Sequence, residues 1–219
     1  MRFPYRFAAI LLVSFCILYL ILVWSKQTPT FHVLIATGGR PSLKTMLDSL
    51  KPELSNGDAV TIVFDGPKAR AKSTIESNWL EGFKCPVNLV DQVPNLGFWG
   101  HGIRNKYQQI LTPQTTFVMH ADDDDSYVPG SFNKLRKQCT NPDALYIAKM
   151  AGDDMKVIPS QNQEIKMSDI GTPCGIIPAH AAPKSTWEYR YGGDGEYYIN
   201  LQPYVANTIF LDTLIYRIR

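Results

Sequence analysis

The segment "FVMHADDDDSYVP", residues 117–129, sets four aspartates side by side after an apolar run. Like charges this close repel, so the chain needs either full solvation or a compensating cation. Hard divalent ions take oxygen ligands, and Mg²⁺ or Mn²⁺ is commonly held by one or two carboxylates plus the phosphates of a ligand. A second acidic group lies in "YGGDGEYY", where Asp194 and Glu196 follow a Gly-Gly pair. A carboxylate there can act as a general base, taking a proton from a hydroxyl within hydrogen-bond reach. Each segment also has a plainer reading. The first is then a solvated acidic turn, and the second a cap on the helix that follows, "GEYYINLQ".

The elements that would position these acids alternate regularly. "FHVLIAT" (31–37), "AVTIVF" (59–64), "PVNLV" (86–90) and "TTFVM" (115–119) are short apolar runs rich in β-formers. Between them, 41–51, 68–80 and 101–111 have helical character; Leu43, Met46, Leu47 and Leu50 recur at three- and four-residue steps. This rhythm predicts β-α-β units and a parallel sheet. Downstream the pattern is looser: a strand at 144–150, a hairpin over 156–167, then an aromatic-rich stretch at 185–202. In open α/β sheets, ligands bind beyond the carboxyl ends of the strands. That rule gathers Thr37–Arg40, Asp65–Pro67 and Asp122–Asp125 at one edge.

Four motifs in this order resemble the nucleotide-sugar glycosyltransferases of the GT-A fold, particularly the family 2 group. They are "LIATGGRPSL" with Thr37 and Arg40, "TIVFDG" with Asp65, "PNLGFWGHGIRNK" with Asn95, Gly97, Arg104 and Asn105, and the acidic run closed by Pro129. The resemblance covers 31–135. It implies an α/β, Rossmann-like fold with a mixed, mainly parallel sheet flanked by helices. It also implies donor binding by Thr37, Arg40, Asp65, Asn95, Arg104, Asp122 and Asp123, with Asp65 accepting from the base. Asp124 and Asp125 would be ligands for Mn²⁺ or Mg²⁺, and a one-residue slip would exchange Asp122 and Asp124 for Asp123 and Asp125. Arg104 would pair with phosphate or fix the acidic loop. Family members that invert the anomeric centre carry a late acidic base; here that implies Asp194, with Glu196 as second candidate and Gly193 where a glutamate is usual. Trp187, Tyr189, Tyr191, Tyr197 and Tyr198 are candidates for a sugar-stacking platform. His101 and His120 either contact phosphate or fill space, and His180 is a candidate late metal ligand.

The 219 residues carry a net charge of +2. Arg2, Arg6 and Lys26 precede the main domain, and without them 19 basic residues face 20 acidic ones. No basic field points to nucleic acid. Residues 7–24, "FAAILLVSFCILYLILVW", carry no charge, and with their flanks they reach the roughly 20 apolar residues a bilayer span needs. The run ends in "LVWSKQTP", a poor cleavage site, so an uncleaved anchor is expected rather than a removed signal. Arg2 and Arg6 favour a cytoplasmic N-terminus, which would put the domain in a Golgi-type lumen in a eukaryotic cell. The expected plan is a tail (1–6), an anchor (7–24), a linker (25–30) and one domain (31–219) with a nucleotide half (31–128) and an acceptor half (129–219). Cys85, Cys139 and Cys174 have no metal-site spacing, and no phosphate-binding Gly-Lys loop or nucleophile elbow occurs.

The reading is a membrane-anchored, metal-dependent glycosyltransferase. It would move a sugar from a nucleotide-sugar donor, a UDP-sugar by resemblance, to a glycan or small hydroxyl acceptor with inversion. The rivals are an inactive sugar-nucleotide or glycan-binding module and a sugar nucleotidyltransferase.

Overall fold

The structure, a computed structural model, describes residues 28–111, 115–154, 156–160 and 164–219. The expected membrane span at 7–24 lies outside them. Among the described residues no helix is long and apolar enough to cross a membrane.

Strand β1 (Phe31–Thr37) is buried at every position, as expected of a mainly apolar strand covered on both faces, with His32 and Thr37 as its polar members. Helix α1 (Leu43–Leu50) follows, and Leu43, Met46, Leu47 and Leu50 form its buried face. Next come β2 (Ala59–Asp65) and β3 (Val87–Gln92). The helix expected over 68–80 divides into α2 (Ala69–Ser73) and a 3₁₀ turn, Ser77–Leu80, because Thr74 adopts a left-handed conformation between them. Helix α3 (His101–Tyr107) leads to β4 (Phe117–Asp122), which runs three residues further than its apolar segment suggested and takes in the first aspartate.

Downstream lie β5 (Ser126–Tyr127), α4 (Ser131–Gln138), β6 (Leu145–Ala151) and β7 (Val157–Ile158). They are followed by β8 (Gly175–Pro178), α5 (Gly193–Leu201) and β9 (Thr208–Arg217). Among the described residues the nine strands form one sheet in the order β3-β2-β1-β4-β8-β6-β9-β5, with β7 beside β6. The first four are mutually parallel, β8 is antiparallel to β4 and β6, and β9 runs parallel to β6. Of the hairpin expected over 156–167, residues 161–163 lie outside the described residues; among those described, β7 pairs with β6.

Connections leave β1 toward β2 on one side, whereas β4 lies on the other. That strand-order reversal opens a crevice at the carboxyl ends. The register sets Ala36 beside Asp122 and Thr37 beside Phe64, so the ends of β1, β2 and β4 are level. Because β8 is antiparallel to β4, its leading end and the preceding Thr172 come to the same edge.

The carboxylate of Glu53, just past α1, accepts the backbone N–H groups of Gly130 and Phe132 at 2.6 and 3.0 Å and so caps α4 from outside. Buried Asp58 accepts from the Phe31 N–H and pairs with Arg136 of α4, locking that helix to β1.

His32 of β1 is buried, and its Nε2 shares a 2.8 Å hydrogen bond with Thr61 of β2. Burial depresses its pKa to about 4, against an ordinary 6.5. The ring is therefore neutral in the fold and takes a proton more readily when unfolded. Its contribution is complete above pH 6.5 and is lost as the pH falls toward 4, about 3 kcal/mol at most. We predict that His32→Gln removes that part of the acid sensitivity in urea unfolding measured between pH 7 and 4. An unchanged difference between those pH values would refute it.

Candidate functional site

Beyond the level strand ends lies an open cleft of about 940 Å³. Thr37, Arg40, Asp65, Asp122, Asp124, Asp125 and Asp194 all line it, drawn from segments up to 157 residues apart in sequence.

The acidic row has a different partner for each carboxylate. Asp122 pairs with Arg104, whose guanidinium is buried and also donates to the Trp99 carbonyl at 2.8 Å. Asp123 is fully buried beneath the cleft floor; it accepts from the Thr37 hydroxyl and pairs with Arg40. Asp124 faces the cleft and shares Arg40. Asp125 accepts the Arg219 N–H at 3.1 Å, and its carboxyl is pushed up to about 7 by burial and by the neighbouring Asp122 and Asp124. Tyr216 of β9 clamps the strand end, its hydroxyl accepting the Asp122 N–H at 2.9 Å. Two arginines therefore offset part of the repulsion along the row.

The end of β2 has its own anchor. Each oxygen of Asp65 accepts one backbone N–H, from Leu96 at 2.7 Å and Gly97 at 2.8 Å, while Asn95 donates to the Asp65 carbonyl. These bonds start a turn in which Gly97, Phe98, Trp99 and Gly100 all have positive φ, at 63, 55, 51 and 83°. Left-handed backbone costs a non-glycine residue of order 1–3 kcal/mol and persists only where its surroundings hold it. Glycine is required at 100, since a Cβ there would lie 2.8 Å from that of Ala36. The turn leaves Phe98 and Trp99 exposed.

Helix α3 fastens the two halves together. His101, Asn105 and Gln108 fall at i, i+4 and i+7 on its surface and bind the main chain of 185–188. His101 Nδ1 is 2.6 Å from the Glu188 carbonyl, Asn105 exchanges two bonds with the Trp187 backbone, and Gln108 donates to the Ser185 carbonyl at 3.0 Å. A carbonyl only accepts, so Nδ1 carries the hydrogen and Nε2 faces Asp194 Oδ1 at 3.6 Å. Asp194 also accepts the Thr172 hydroxyl at 2.7 Å. Burial would raise the Asp194 carboxyl, but the adjacent His101 ring, the Thr172 hydrogen bond and the charge of Arg104 carry it below its ordinary value. Although it lies in the first turn of α5, it makes no capping bond; Gly192 is the N-cap. Glycine is needed at 193, since a Cβ there would lie 2.7 Å from the Glu188 carbonyl oxygen that holds His101.

The other expected residues are dispersed. Glu196 pairs with Arg190, and Asn95 and Arg104 stand behind the cleft wall. Trp187, Tyr197 and Tyr198 are fully buried, the first two stacked at 4.0 Å, whereas Tyr189 and Tyr191 are exposed. His120 is buried among Trp187 and Tyr197, and burial drives its pKa well down. His180 lies past the far end of β8, away from the cleft, near Asp143. Sequence reasoning passed over Thr172, Tyr216 and the polar stripe on α3; only the stripe's helical spacing offered a signal.

Among the described residues, no three His, Cys, Asp or Glu side chains form a preformed metal site. The residues present fit a cation shared with a ligand. Asp124 and Asp125 both face the cleft, and among the described residues no lysine or arginine side chain pairs with Asp125, which leaves carboxylate oxygens for a hard cation.

Arg104 holds both Asp122 and the strained turn. We predict that Arg104→Met destabilises the fold by about 3 kcal/mol, as expected when one member of a buried pair is removed. Limited proteolysis should then cut first near 97–100. A loss below about 1 kcal/mol with that turn still protected would be inconsistent with this role.

No family model matches the chain, and no curated protein does. Solved structures do. TarS of S. aureus superposes with a TM-score of 0.61 at 15% identity over 86% of this chain and 36% of TarS. Residues 1–349 of TarS in complex with UDP-GlcNAc give 0.65 at 15% identity, over 86% of this chain and 58% of that one. The mannosyltransferase PcManGT of Pyrobaculum calidifontis, in complex with GDP-Man and Mn²⁺, gives 0.55 at 11% over 87% and 57%. This chain thus spans between about a third and three fifths of the length of those it matches. Its curled mixed sheet with flanking helices is a GT-A-like fold, shared with nucleotide-sugar glycosyltransferases.

Proposed function

We propose that this protein is a metal-dependent glycosyltransferase, anchored by residues 7–24, that moves a sugar from a nucleotide donor to a glycan or other hydroxyl with inversion. Its N-terminus would be cytoplasmic and, in a eukaryotic cell, its domain, 31–219, would lie in a Golgi-type lumen. One observation carries the reading: the acidic row and the separately fixed Asp194 line a single cleft. UDP-sugar is the favoured donor, since TarS was solved with UDP-GlcNAc, and Mn²⁺ or Mg²⁺ the favoured ion, since PcManGT was solved with Mn²⁺.

In this reading Thr37 and Asp65 receive the nucleoside and Arg40 its diphosphate. Asp124 and Asp125 hold the cation. When bound, it would neutralise charge developing on the departing diphosphate. Asp194 accepts the proton of the acceptor hydroxyl, whose oxygen bonds to the anomeric carbon from the face opposite the nucleotide. The bond from that carbon to the diphosphate oxygen breaks, and its electron pair leaves with the diphosphate. His101 and Thr172 orient Asp194 and favour its ionised form, so the base is available across the neutral range.

Two predictions follow from these assignments. Calorimetry of the chain with UDP, GDP and their sugars, with and without Mn²⁺, should show metal-dependent binding that Asp124→Asn abolishes. Asp194→Asn should spare binding while stopping transfer. No binding under any condition would return the acids to a solvated loop, and release of pyrophosphate instead of nucleoside diphosphate would indicate a nucleotidyltransferase.

The second concerns pH. His101→Phe removes a group that favours the Asp194 carboxylate, so the acid limb of kcat/KM should move to higher pH, with Thr172→Val acting in the same direction. His101→Gln, which retains a donor, should restore part of the shift. Profiles that superpose for all three would exclude His101 and Thr172 as positioning residues.

A further inference from the structure

Four exposed aromatic side chains gather beside the cleft, two from the strained turn and two from the segment before α5. Phe98 stacks on Tyr189 at 4.5 Å with an interplanar angle of 22°. Trp99 meets Tyr191 edge to face at 6.5 Å, and both line the cleft itself. Trp99 is 68% exposed and Tyr191 90%, although the core has taken Trp187, Tyr197 and Tyr198 from the same part of the chain. Contiguous apolar surface of this kind marks an interaction site. The backbone gives a second, independent indication. Phe98 and Trp99 occupy left-handed conformations that bulky residues avoid, held there by Asp65 and Arg104. Strain kept in place by buried partners, with two large rings left in water as the result, is a feature of functional sites.

Resting on the transferase reading, we infer that Trp99 and Tyr191 form the acceptor subsite, and that it takes a neutral saccharide. The same ligand must lay an apolar face on the aromatic rings and bring a hydroxyl to the carboxylate of Asp194. A pyranose does both, with its C–H face on one side and hydroxyls at its rim. The geometry connects the two requirements, because the His101 ring lies 6.5 Å from Trp99 and its Nε2 3.6 Å from Asp194. Arg190, next to Tyr191 in the chain, already pairs with Glu196, so this arginine does not call for an anionic acceptor. Phe98 and Tyr189 extend the platform away from the cleft, which suits a chain of sugars better than a single one.

The test uses the full-length chain in a detergent without a sugar headgroup. Soluble cello-, chito- and manno-oligosaccharides of two to six units serve as probes, followed by tryptophan fluorescence and saturation-transfer NMR. The expected result is a blue shift with at least one series, with affinity rising with length. Trp99→Ala and Tyr191→Ala should each weaken it about tenfold, and Trp99→Phe should stay close to the parent. Nucleoside diphosphate binding, measured in parallel, separates the two readings. Intact nucleotide binding with no saccharide binding, or saccharide binding indifferent to both alanine variants, overturns the subsite alone. Absence of nucleotide binding overturns the transferase reading beneath it. A Trp99-dependent shift with phosphatidylcholine vesicles and none with oligosaccharides would make this a membrane-contacting surface and also overturn the proposal.

Discussion

Repulsion among four consecutive carboxylates at the end of one strand is the constraint around which the site is built. Unpaired, such a row would be driven into solvent and the strand end would fray. Instead Arg104 takes Asp122, and Arg40 takes Asp123 and Asp124, with the Thr37 hydroxyl as a further donor to Asp123. The last strand, β9, contributes Tyr216 and the Arg219 N–H from the other side. Asp125 has no basic side-chain partner among the described residues, and burial, together with Asp122 and Asp124, raises its affinity for a proton. Incomplete compensation is what a site for a cation shared with a diphosphate requires: full pairing would leave nothing for the ion to stabilise.

The same groups that settle the acids also build the neighbouring surface. Arg104 reaches from Asp122 to the Trp99 carbonyl, and Asp65 grips the start of the turn at Leu96 and Gly97. The energetic cost of the left-handed Phe98 and Trp99 is therefore met by buried ionic and hydrogen-bonded groups already needed elsewhere. Helix α3 then transmits this arrangement to Asp194. Its polar stripe binds main-chain atoms of 185–188, which sets the His101 ring beside Asp194, whose carboxylate the Thr172 hydroxyl also holds.

Much of the nucleotide half was legible locally. The mainly apolar runs of β1, β2 and β4 predict strands because a strand covered on both faces favours apolar residues throughout, and Asp65 and Asp122 stand where the runs of β2 and β4 stop. The second half was less so. The four residues of β8 are too few to show a period, and β9 is a strand because it pairs with β6, which lies about sixty residues earlier. The start of the expected hairpin over 156–167 pairs backward instead: β7 lies antiparallel to β6, the strand just before it.

The aromatic residues mark the boundary most clearly. Trp187, Tyr189, Tyr191, Tyr197 and Tyr198 are alike in composition and close in sequence, yet three are core and two are surface. Which ones turn inward depends on Asn105 and Gln108 of α3, some eighty residues away, fixing the chain at 185–187. Residue type, hydrophobic period and motif order therefore sufficed for the parallel sheet and for the edge where the acids meet. The partners of those acids, the fixing of Asp194 by His101 and Thr172, and the exposure of Trp99 and Tyr191 came only with the tertiary structure. Each of them depends on contacts between segments that no local pattern relates.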